Sequence, residues 1–378
     1  MKQIVCLGAE PWTKFMGRTQ QLLTRIDDAE ILYFEPPLHL PASRKKKMST
    51  HASRNRYSKK PRERMIRSNI YACPLPPIWP STKLNRSANT RTMVRYIRSR
   101  MAAHGFRSAA LWVSSPFYAD VARELDVCCT VYDYSNRYPY PSRMHLSLVQ
   151  YSDVILAATP SLANELKNLK DVEALNMALI PDGADCRLYA QAGENAAAFP
   201  HELFNVSGPI LGSTGTLTSR TNFSPLIHAA SLRQDWTFVL TGRWNDSVVP
   251  NTLHRMPNVL VLPCRSSSRV AEYAAHFDLF FQLNTPAAAV PDLIPSSVLE
   301  ALSTGKPMVL VTEPNQPALL SEFTIPVRSN SEFAAACRKV LTDPGNHISE
   351  DRRHFAQVFD WRRIAAEVSR ILEANGVV

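Results

Sequence analysis

The stretch from Phe280 to Glu313 constrains the fold of this chain most, because it reads as strand, loop, helix, tight turn and strand in that order. Its two apolar runs, Phe280–Leu283 and Met308–Val311, have the length and composition of buried parallel strands. The loop between them contains three prolines, and Ser296 or Ser297 can cap the helix that follows. The stretch therefore predicts a βαβ unit of a wound α/β sheet.

Two carboxylates flank the predicted N-terminus of this helix, Asp292 before it and Glu300 within it. Backbone N–H groups at a helix N-terminus favour an anion, and Ser297, Val298 and Leu299 offer such groups to a phosphate. A carboxylate is unfavourable beside a phosphate unless sugar hydroxyls donate hydrogen bonds to it. The combination predicts a nucleotide-sugar site, with an ordinary βαβ unit and a solvent-facing Glu300 as the alternative.

Strand-like and helix-like segments alternate along the rest of the chain. The strand-like runs of the first half are Ala29–Glu35, Ala109–Ser114 and Cys128–Tyr134. Those of the second half include Pro209–Gly215 and Trp236–Gly242. This alternation predicts an α/β protein with doubly wound parallel sheets.

The weakly patterned residues 191–200 suit a linker between two domains of ordinary size. We therefore predict an acceptor-side domain over residues 1–190 and a nucleotide-sugar-binding domain over residues 200–347. Residues 348–378 are predicted to form terminal helices that pack back toward the first domain.

The net charge of +10 has a local origin between Ser43 and Ser68, where one acid, Glu63, accompanies eleven basic residues. A cluster this dense can bind an anionic membrane face, with each cation contributing on the order of 1 kcal/mol near the lipid. A solvated mobile loop is the alternative. Nucleic acid is not expected as a partner, because no aromatic platform or known motif accompanies the cluster. The basic residues are Arg44, Lys45, Lys46, Lys47, Arg54, Arg56, Lys59, Lys60, Arg62, Arg64 and Arg67.

Cysteine usage and hydropathy point to the cytoplasm. The seven cysteines are odd in number and scattered, without a CxxC pair, which favours a reduced protein over a disulfide framework or a zinc site. No apolar run reaches 18 residues and the N-terminal run is too short for a signal peptide, so no membrane-spanning helix is expected. We expect neither a metal nor a cofactor, because no cluster of metal ligands is visible.

The segment SSVLEALSTGKPMVLVT resembles the "lEamaaGkPVVat" segment of retaining, family-4-type GT-B glycosyltransferases. Two glutamates separated by seven residues mark that family, and Glu300 occupies the second place while Asp292 occupies the first. Four further segments occur along the chain in the family's order and are similar to segments of teichuronic-acid-type glycosyltransferases. They are VYDYSNRYP, YSDVILAATPSLANEL, LIPDGADCRLY and FDWRRIAAEVSRIL. The resemblance implies a GT-B fold, in which two Rossmann-like domains face a cleft, with the donor on the second domain and the acceptor on the first.

The resemblance also implies residue roles on the donor side. Glu300 is expected to accept hydrogen bonds from ribose hydroxyls and Asp292 from the transferred sugar. Gly215 opens the second domain, and Arg220 lies near the place of a phosphate-binding lysine, although Thr216 stands where the family often has arginine. Catalysis would be electrostatic stabilisation of the leaving diphosphate.

The remaining candidate residues lie on loops. Arg243 can line the nucleotide pocket or form a surface salt bridge. Gly17 and Arg18, at the mouth of the first helix, can face an acceptor or simply form a turn. Asp133, at a strand end, can touch the acceptor, and the acids that follow in the family are replaced by Ser135–Arg137, so the acceptor chemistry can differ.

The sequence thus predicts a glycosyltransferase that moves a sugar from a UDP-sugar, with retention, to a cell-surface polysaccharide or lipid-linked saccharide. The basic segment 43–68 would hold it peripherally on the inner membrane face. Two alternatives remain at this point. One is a degenerate GT-B subunit that scaffolds a polysaccharide synthase, and the other is a nucleotide-sugar epimerase.

Overall fold

A computed structural model describes residues 1–40, 62–80, 83–137, 142–169, 175–194, 199–206, 208–244, 246–264, 266–283, 292–311, 318–343 and 346–378. Residues 43–61, which carry most of the basic segment, lie outside the described residues. The chain divides into two compact units, one formed by Met1–Ile180 with Ala365–Val378 and the other by Pro181–Ile364.

The first unit is built on an eight-stranded sheet in the order β3-β4-β2-β1-β5-β6-β7-β8. Neighbouring strands are parallel except β3 and β4, which pair antiparallel. Buried apolar runs explain the parallel strands, since helices cover both faces of such sheets. The strands are β1 Lys2–Leu7, β2 Ala29–Glu35, β3 Arg64–Arg67, β4 Ile70–Pro74, β5 Ala110–Val113, β6 Cys129–Tyr134, β7 Val154–Ala157 and β8 Met177–Leu179.

Among the described residues, five α-helices connect these strands, and local sequence explains where one of them begins. Thr159 precedes α5 in an extended conformation and its hydroxyl accepts a hydrogen bond from the Leu162 N–H at 3.2 Å, while Pro160 occupies the first helical turn. The helices are α1 Arg18–Leu23, α2 Lys83–Ala103, α3 Ala119–Glu124, α4 Ser142–Tyr151 and α5 Pro160–Lys167.

The second unit contains a six-stranded, fully parallel sheet in the order β11-β10-β9-β12-β13-β14. One face of its core is lined by Leu211, Phe238, Phe281 and Phe333, which are buried together. The strands are β9 Ile210–Ser213, β10 Thr237–Gly242, β11 Val259–Pro263, β12 Leu279–Gln282, β13 Met308–Val311 and β14 Ile325–Val327. The helices are α6 Cys186–Glu194, α7 Ser224–Leu232, α8 Asn251–His254, α9 Ser267–Ala274, α10 Ser296–Ser303, α11 Asn330–Thr342, α12 Ser349–Val358 and α13 Trp361–Ala374, of which α13 continues into the first unit.

The predicted fold class is confirmed: the protein is α/β, with two wound parallel sheets. Two details differ from the sequence-based expectation. Strand β3 lies at the end of the basic segment, where a loop was predicted, because three of its four residues pair with β4 and extend the sheet. Helix α6 runs to Glu194, into the span predicted as a linker.

The strand order places one switch point in each sheet. In the second unit the chain winds outward in one direction from β9 and in the other from β12, and these two strands are neighbours. In the first unit β1 and β5 hold the same relation. Ligands of open α/β sheets bind in the crevice beyond the carboxyl ends of the strands at such a point. Of the helices in the described residues, none combines the length and hydropathy needed to cross a membrane.

Candidate functional site

The carboxyl edge of the second sheet is shaped first by two glycines. Gly215, in the turn after β9, has φ of 109°, and Gly242, the last residue of β10, has φ of 147°. Residues that have a side chain rarely adopt φ angles in this range. A Cβ on Gly215 would lie 2.8 Å from the Cβ of Ser297, and a Cβ on Gly242 would overlap the carbonyl oxygen of Gly215. Gly242 therefore allows the end of β10 to lie against the Gly215 turn, and Gly215 allows this turn to lie against the N-terminus of α10.

Helix α10 begins without a side-chain cap, so the predicted capping by Ser296 or Ser297 is wrong. Pro295 is the N-cap residue and has no side-chain donor or acceptor. The Ser297 hydroxyl instead donates to Oε1 of Gln282, at the end of β12, at 3.1 Å. This bond ties the first turn of the helix to the neighbouring strand.

The hydrogen bonds of the α10 backbone amides reduce the number of predicted phosphate contacts. The Val298 and Leu299 N–H groups donate to the Pro295 carbonyl at 2.9 and 3.3 Å. Ser296 and Ser297 occupy the first two helical positions, whose N–H groups have no intrahelical acceptor. An anion at this helix end would therefore meet Ser296 and Ser297, and not the whole predicted set.

Glu300 lies one turn further along α10, half-buried against α6. Burial raises the pKa of its carboxyl to about 7, and the nearby Asp185 raises this pKa as well, while a hydrogen bond from the Tyr189 hydroxyl lowers it. The same burial raises the pKa of Tyr189 well above its usual range. Tyr189 is therefore a hydrogen-bond donor to Glu300 at any moderate pH. The site thus holds a carboxyl that titrates near neutrality.

Asp292, the other predicted carboxylate, is exposed and lies before the helix. Its φ of 63° is one of two positive values among the non-glycine residues that the structure describes. Aspartate tolerates the left-handed region better than most residues but still does so at a cost on the order of 1 kcal/mol. Its backbone is therefore strained at an exposed position before the helix.

Arg220, the predicted phosphate ligand, and Arg243, predicted to line the nucleotide pocket, are both exposed, on loops that follow β9 and β10. The Arg243 N–H donates to the Gly215 carbonyl at 3.2 Å, which places Arg243 beside the glycine turn. Arg220 lies further along the loop after β9, where its N–H donates to the Thr218 hydroxyl at 3.2 Å. The structure thus groups Gly215, Arg243 and Ser297, while Arg220 stands at the end of the same loop.

The predicted acceptor-side residues meet at the carboxyl edge of the first sheet. Arg18 Nε donates to Asp133 Oδ1 at 2.8 Å, and Arg18 Nη2 donates to the Ile180 carbonyl at 2.7 Å. The Thr19 hydroxyl donates to the second oxygen of Asp133 at 3.3 Å and lies 3.0 Å from the Ser114 hydroxyl. The side chain of Arg18 is 7% exposed and that of Asp133 is 0% exposed.

Because Asp133 is fully buried, it does not face a solute in this structure. Gly17 is the extended N-cap residue of α1, and its carbonyl accepts from the Gln21 N–H at 2.9 Å. Gly17 therefore starts the helix that carries Arg18 to Asp133. An acceptor role for these residues remains a prediction, and the geometry favours indirect positioning over direct contact.

Sequence reasoning missed three residues that shape this site. Tyr189 comes from a different helix, and no pattern linked it to Glu300. Gln282 read as part of an apolar strand. Gly242 had a usable signal, since a glycine that ends a predicted strand marks a special turn. Within the described ranges, no group of three or more His, Cys, Asp or Glu side chains is placed to hold a metal ion.

Comparison with known proteins identifies a curated relative by sequence and solved structures by fold. No family model matches the chain. It is 24% identical over 234 residues to a protein of Bacillus subtilis (strain 168) named as a teichuronic acid biosynthesis glycosyltransferase, TuaH; the match covers 60% of this chain and 58% of that protein. The chain thus spans less than two thirds of the length of this curated relative.

Solved structures match over nearly the whole chain. One is a UDP-forming alpha,alpha-trehalose-phosphate synthase from Burkholderia xenovorans in complex with glucose-6-phosphate, with 11% identity, a TM-score of 0.67 and coverage of 99% and 100% of the two chains. Another is Anabaena Alr3699/HepE in complex with UDP, with 14% identity, a TM-score of 0.64 and the same coverage. These likenesses show that the chain has the GT-B fold.

Proposed function

We propose that this chain is a glycosyltransferase that moves a sugar from a UDP-sugar to a saccharide acceptor. The observation that carries the proposal is the convergence of the Gly215 turn, the Ser297 amide and the Glu300 carboxyl at the switch point of the second sheet. Amides suit a diphosphate and a carboxylate suits ribose hydroxyls. The names of the relatives support the same class, since they include a glycosyltransferase and proteins bound to UDP.

In this proposal the Ser296 and Ser297 amides hold the diphosphate, and Arg220 and Arg243 supply the positive charge. These groups stabilise the charge that develops on the diphosphate as the bond to the sugar breaks, which is electrostatic catalysis. Glu300 accepts hydrogen bonds from the ribose hydroxyls when it is ionised. Asp292 would accept hydrogen bonds from the transferred sugar, whose configuration is retained.

We place the acceptor among cell-surface polysaccharides and lipid-linked saccharides. The support is the name of TuaH, which refers to teichuronic acid biosynthesis, and the basic segment 43–68, which suits an anionic membrane on which such acceptors grow. On the first unit, Arg18 and Asp133 would fix the wall of the acceptor site through their ion pair.

The proposal is tested by thermal shift against UDP, GDP, ADP and CMP, with the wild type, Glu300→Ala and a control, Glu322→Ala. Glu322 is an exposed glutamate of the same unit, away from α10 in sequence. A ligand at a hundred times its dissociation constant stabilises the folded state by about 2.7 kcal/mol. We expect this shift for UDP with the wild type and the control, and its loss in Glu300→Ala.

Transfer itself is measured as UDP release that depends on an added acceptor. Conversion of the sugar without an acceptor would favour an epimerase. The absence of a shift with every nucleotide would contradict the proposed donor site and favour a scaffold subunit.

A further inference from the structure

A cleft of about 810 Å³ opens at the amino edge of the second sheet, opposite to the edge that carries the Gly215 turn. Its lining includes the residues that lead into three strands: Pro209 precedes β9, Asp278 precedes β12 and Pro307 precedes β13. These strands are parallel, so their amino ends lie at one edge. Sites for small ligands are concave and typically enclose about 300–1,000 Å³. The cleft therefore has the size of a ligand site and is separate from the proposed donor site.

Two cationic side chains of the cleft meet the carbonyl ends of neighbouring helices. Lys306 Nζ donates to the carbonyls of Ala274 and Ala275, at the end of α9, at 3.5 and 2.6 Å. Arg353 Nη2 donates to the carbonyl of Thr304, just past the end of α10, at 3.1 Å. Cations are favourable at helix C-termini, so these bonds hold both side chains in place at the cleft.

Two carboxylates balance these cations. Asp278 lines the cleft and is exposed, and its Oδ2 accepts from the Ile210 N–H at 2.7 Å. Burial lowers the pKa of Lys306 to about 8, and the charge of the nearby Asp278 raises it. Glu350 pairs with Arg353 at 3.2 Å. Each cation of the cleft thus has an acidic neighbour, which favours a neutral ligand over an anion or a cation.

The polar groups of the cleft include hydrogen-bond donors and acceptors side by side. Ser349 lies directly against the turn that leads to Lys306, since a Cβ on Gly305 would be 2.4 Å from the Ser349 hydroxyl oxygen. His276 and Asp278 line the same cleft. Hydroxyl, imidazole and ammonium groups can donate, and a carboxylate accepts. A ligand with several hydroxyls, each of which can both donate and accept, matches such a set.

Exposed aromatic rings border the cleft at His276. The ring of Phe199 lies 4.5 Å from that of His276 and is stacked on that of Phe204 at 6.1 Å. Phe199 is 43% exposed and Phe204 is 61% exposed. Adjacent exposed apolar side chains, unlike single ones, mark binding surfaces. The C–H groups on one face of a pyranose can pack on an aromatic ring, whose face carries negative charge density.

We propose that this cleft binds a neutral oligosaccharide. Sugar hydroxyls would accept a hydrogen bond from Lys306 and donate one to Asp278, while the face of one pyranose packs against Phe199. The site goes beyond the proposed function, because it lies at the opposite edge of the sheet from the donor site. It is also independent of whether the chain transfers a sugar.

Saturation-transfer NMR titrations with the full chain test the cleft. The probes are maltotriose, cellotriose and triacetylchitotriose, with inorganic phosphate as the anionic comparison. We expect at least one trisaccharide to bind the wild type. Asp278→Asn should bind it about tenfold more weakly, because a hydrogen bond to a charged group is lost. Glu322→Gln, which changes an exposed carboxylate of the same unit outside the cleft, is the matched control and should bind as the wild type does.

Four outcomes of these titrations would overturn the proposal. They are no binding of any trisaccharide, equal affinity of Asp278→Asn and the control, displacement of the sugar by UDP, and binding of phosphate alone. Displacement by UDP would place the sugar in the donor site, and binding of phosphate alone would show an anion site. The thermal shift with UDP, measured on the same Asp278→Asn protein, should equal that of the wild type, so the two proposals fail separately.

The variant Phe199→Ala tests the aromatic border. We expect it to bind the trisaccharide on the order of fivefold more weakly, because the sugar loses an apolar surface on which to pack. Leu232→Ala, which truncates an apolar side chain that is 61% exposed in the same unit, is the control. A loss in Phe199→Ala no larger than in the control would refute the packing on Phe199 and with it the saccharide as the occupant.

Discussion

The carboxyl edges of the two sheets use polar residues in opposite ways. At the first edge Arg18 and Thr19 both donate to Asp133, which is fully buried, so its charge and hydrogen bonds are satisfied within the protein. At the second edge Arg243 and Asp292 are exposed, and burial raises the pKa of the Glu300 carboxyl to about 7. The same wound topology thus buries an ion pair at the switch point of one unit and leaves exposed polar groups at the switch point of the other.

The largest expected effect is on the first edge. Asp133→Leu or Arg18→Met alone removes one partner of a buried ion pair, and each should lower the free energy of unfolding by about 3–5 kcal/mol because the other charge stays buried. The double variant Arg18→Met/Asp133→Leu should lose less than the sum of the two. Urea unfolding of the four proteins gives the coupling energy. Additive losses would mean that the pair is not a unit, and would weaken the contrast between the edges.

The second edge should show an unusual dependence on pH. An acid whose pKa is higher in the folded than in the unfolded state binds its proton more tightly when folded, so stability falls as the pH rises through that interval. For Glu300 the interval runs from about 4.5 to about 7, and the loss amounts to roughly 3 kcal/mol above pH 7.

Glu300→Gln should therefore be more stable than the wild type by roughly 3 kcal/mol at pH 8 and equal to it at pH 4. In the wild type the affinity for UDP should change in the opposite direction to the stability. It should rise with pH as the Glu300 carboxyl ionises near pH 7. Thermal unfolding and UDP titration across pH 5–8 measure both, and Glu322→Gln is the matched control. An identical pH profile for Glu300→Gln and the wild type would contradict the raised pKa of Glu300.

The comparison also shows what the sequence can reveal. Strands such as Ala29–Glu35 are predictable because continuous apolar runs bounded by turn residues are local signals. Asp133 was identified only as a residue at a strand end, and its ion pair with Arg18 joins residues 115 positions apart. No periodicity encodes such a contact, because it depends on the order in which the strands assemble.

The carboxyl edge of the second sheet was more predictable than that of the first for a physical reason. Its parts are consecutive in the chain, from the strand through the loop to α10, so spacing alone places Ser297 and Glu300 on one helix. Tyr189 joins them from α6, across more than a hundred residues, and its hydroxyl lowers the pKa of Glu300, which burial raises. The local frame of the site was therefore accessible from sequence, and its electrostatics were not.

The variant Tyr189→Phe should have a smaller effect than the changes above, and it sharpens the comparison between the two edges. It removes one hydroxyl from the core and with it the hydrogen bond that favours the ionised form of Glu300. We expect the pKa of Glu300 to rise further, so the pH at which UDP affinity increases should move upward. Stability at pH 8 should fall by roughly 2 kcal/mol, as for the loss of a hydrogen bond to a charged group. An unchanged midpoint in the UDP titration would show that Tyr189 only packs against α10.

The smallest expected effect, and the one that separates function from stability most clearly, concerns Asp292. Glycine adopts the positive φ of this position at a lower cost than aspartate does. Asp292→Gly should therefore leave the free energy of unfolding unchanged or raise it by up to about 1 kcal/mol. If its carboxylate accepts hydrogen bonds from the transferred sugar, the same variant should bind a UDP-sugar more weakly while UDP affinity stays unchanged. Asp28, the other non-glycine residue with a positive φ in the described part of the chain, provides the control through Asp28→Gly. A loss of UDP affinity equal to the loss of UDP-sugar affinity would place Asp292 at the nucleotide. If Asp292→Gly changes neither affinity, Asp292 does not belong to the donor site. Glu300 would then be the carboxylate that distinguishes this edge from the other.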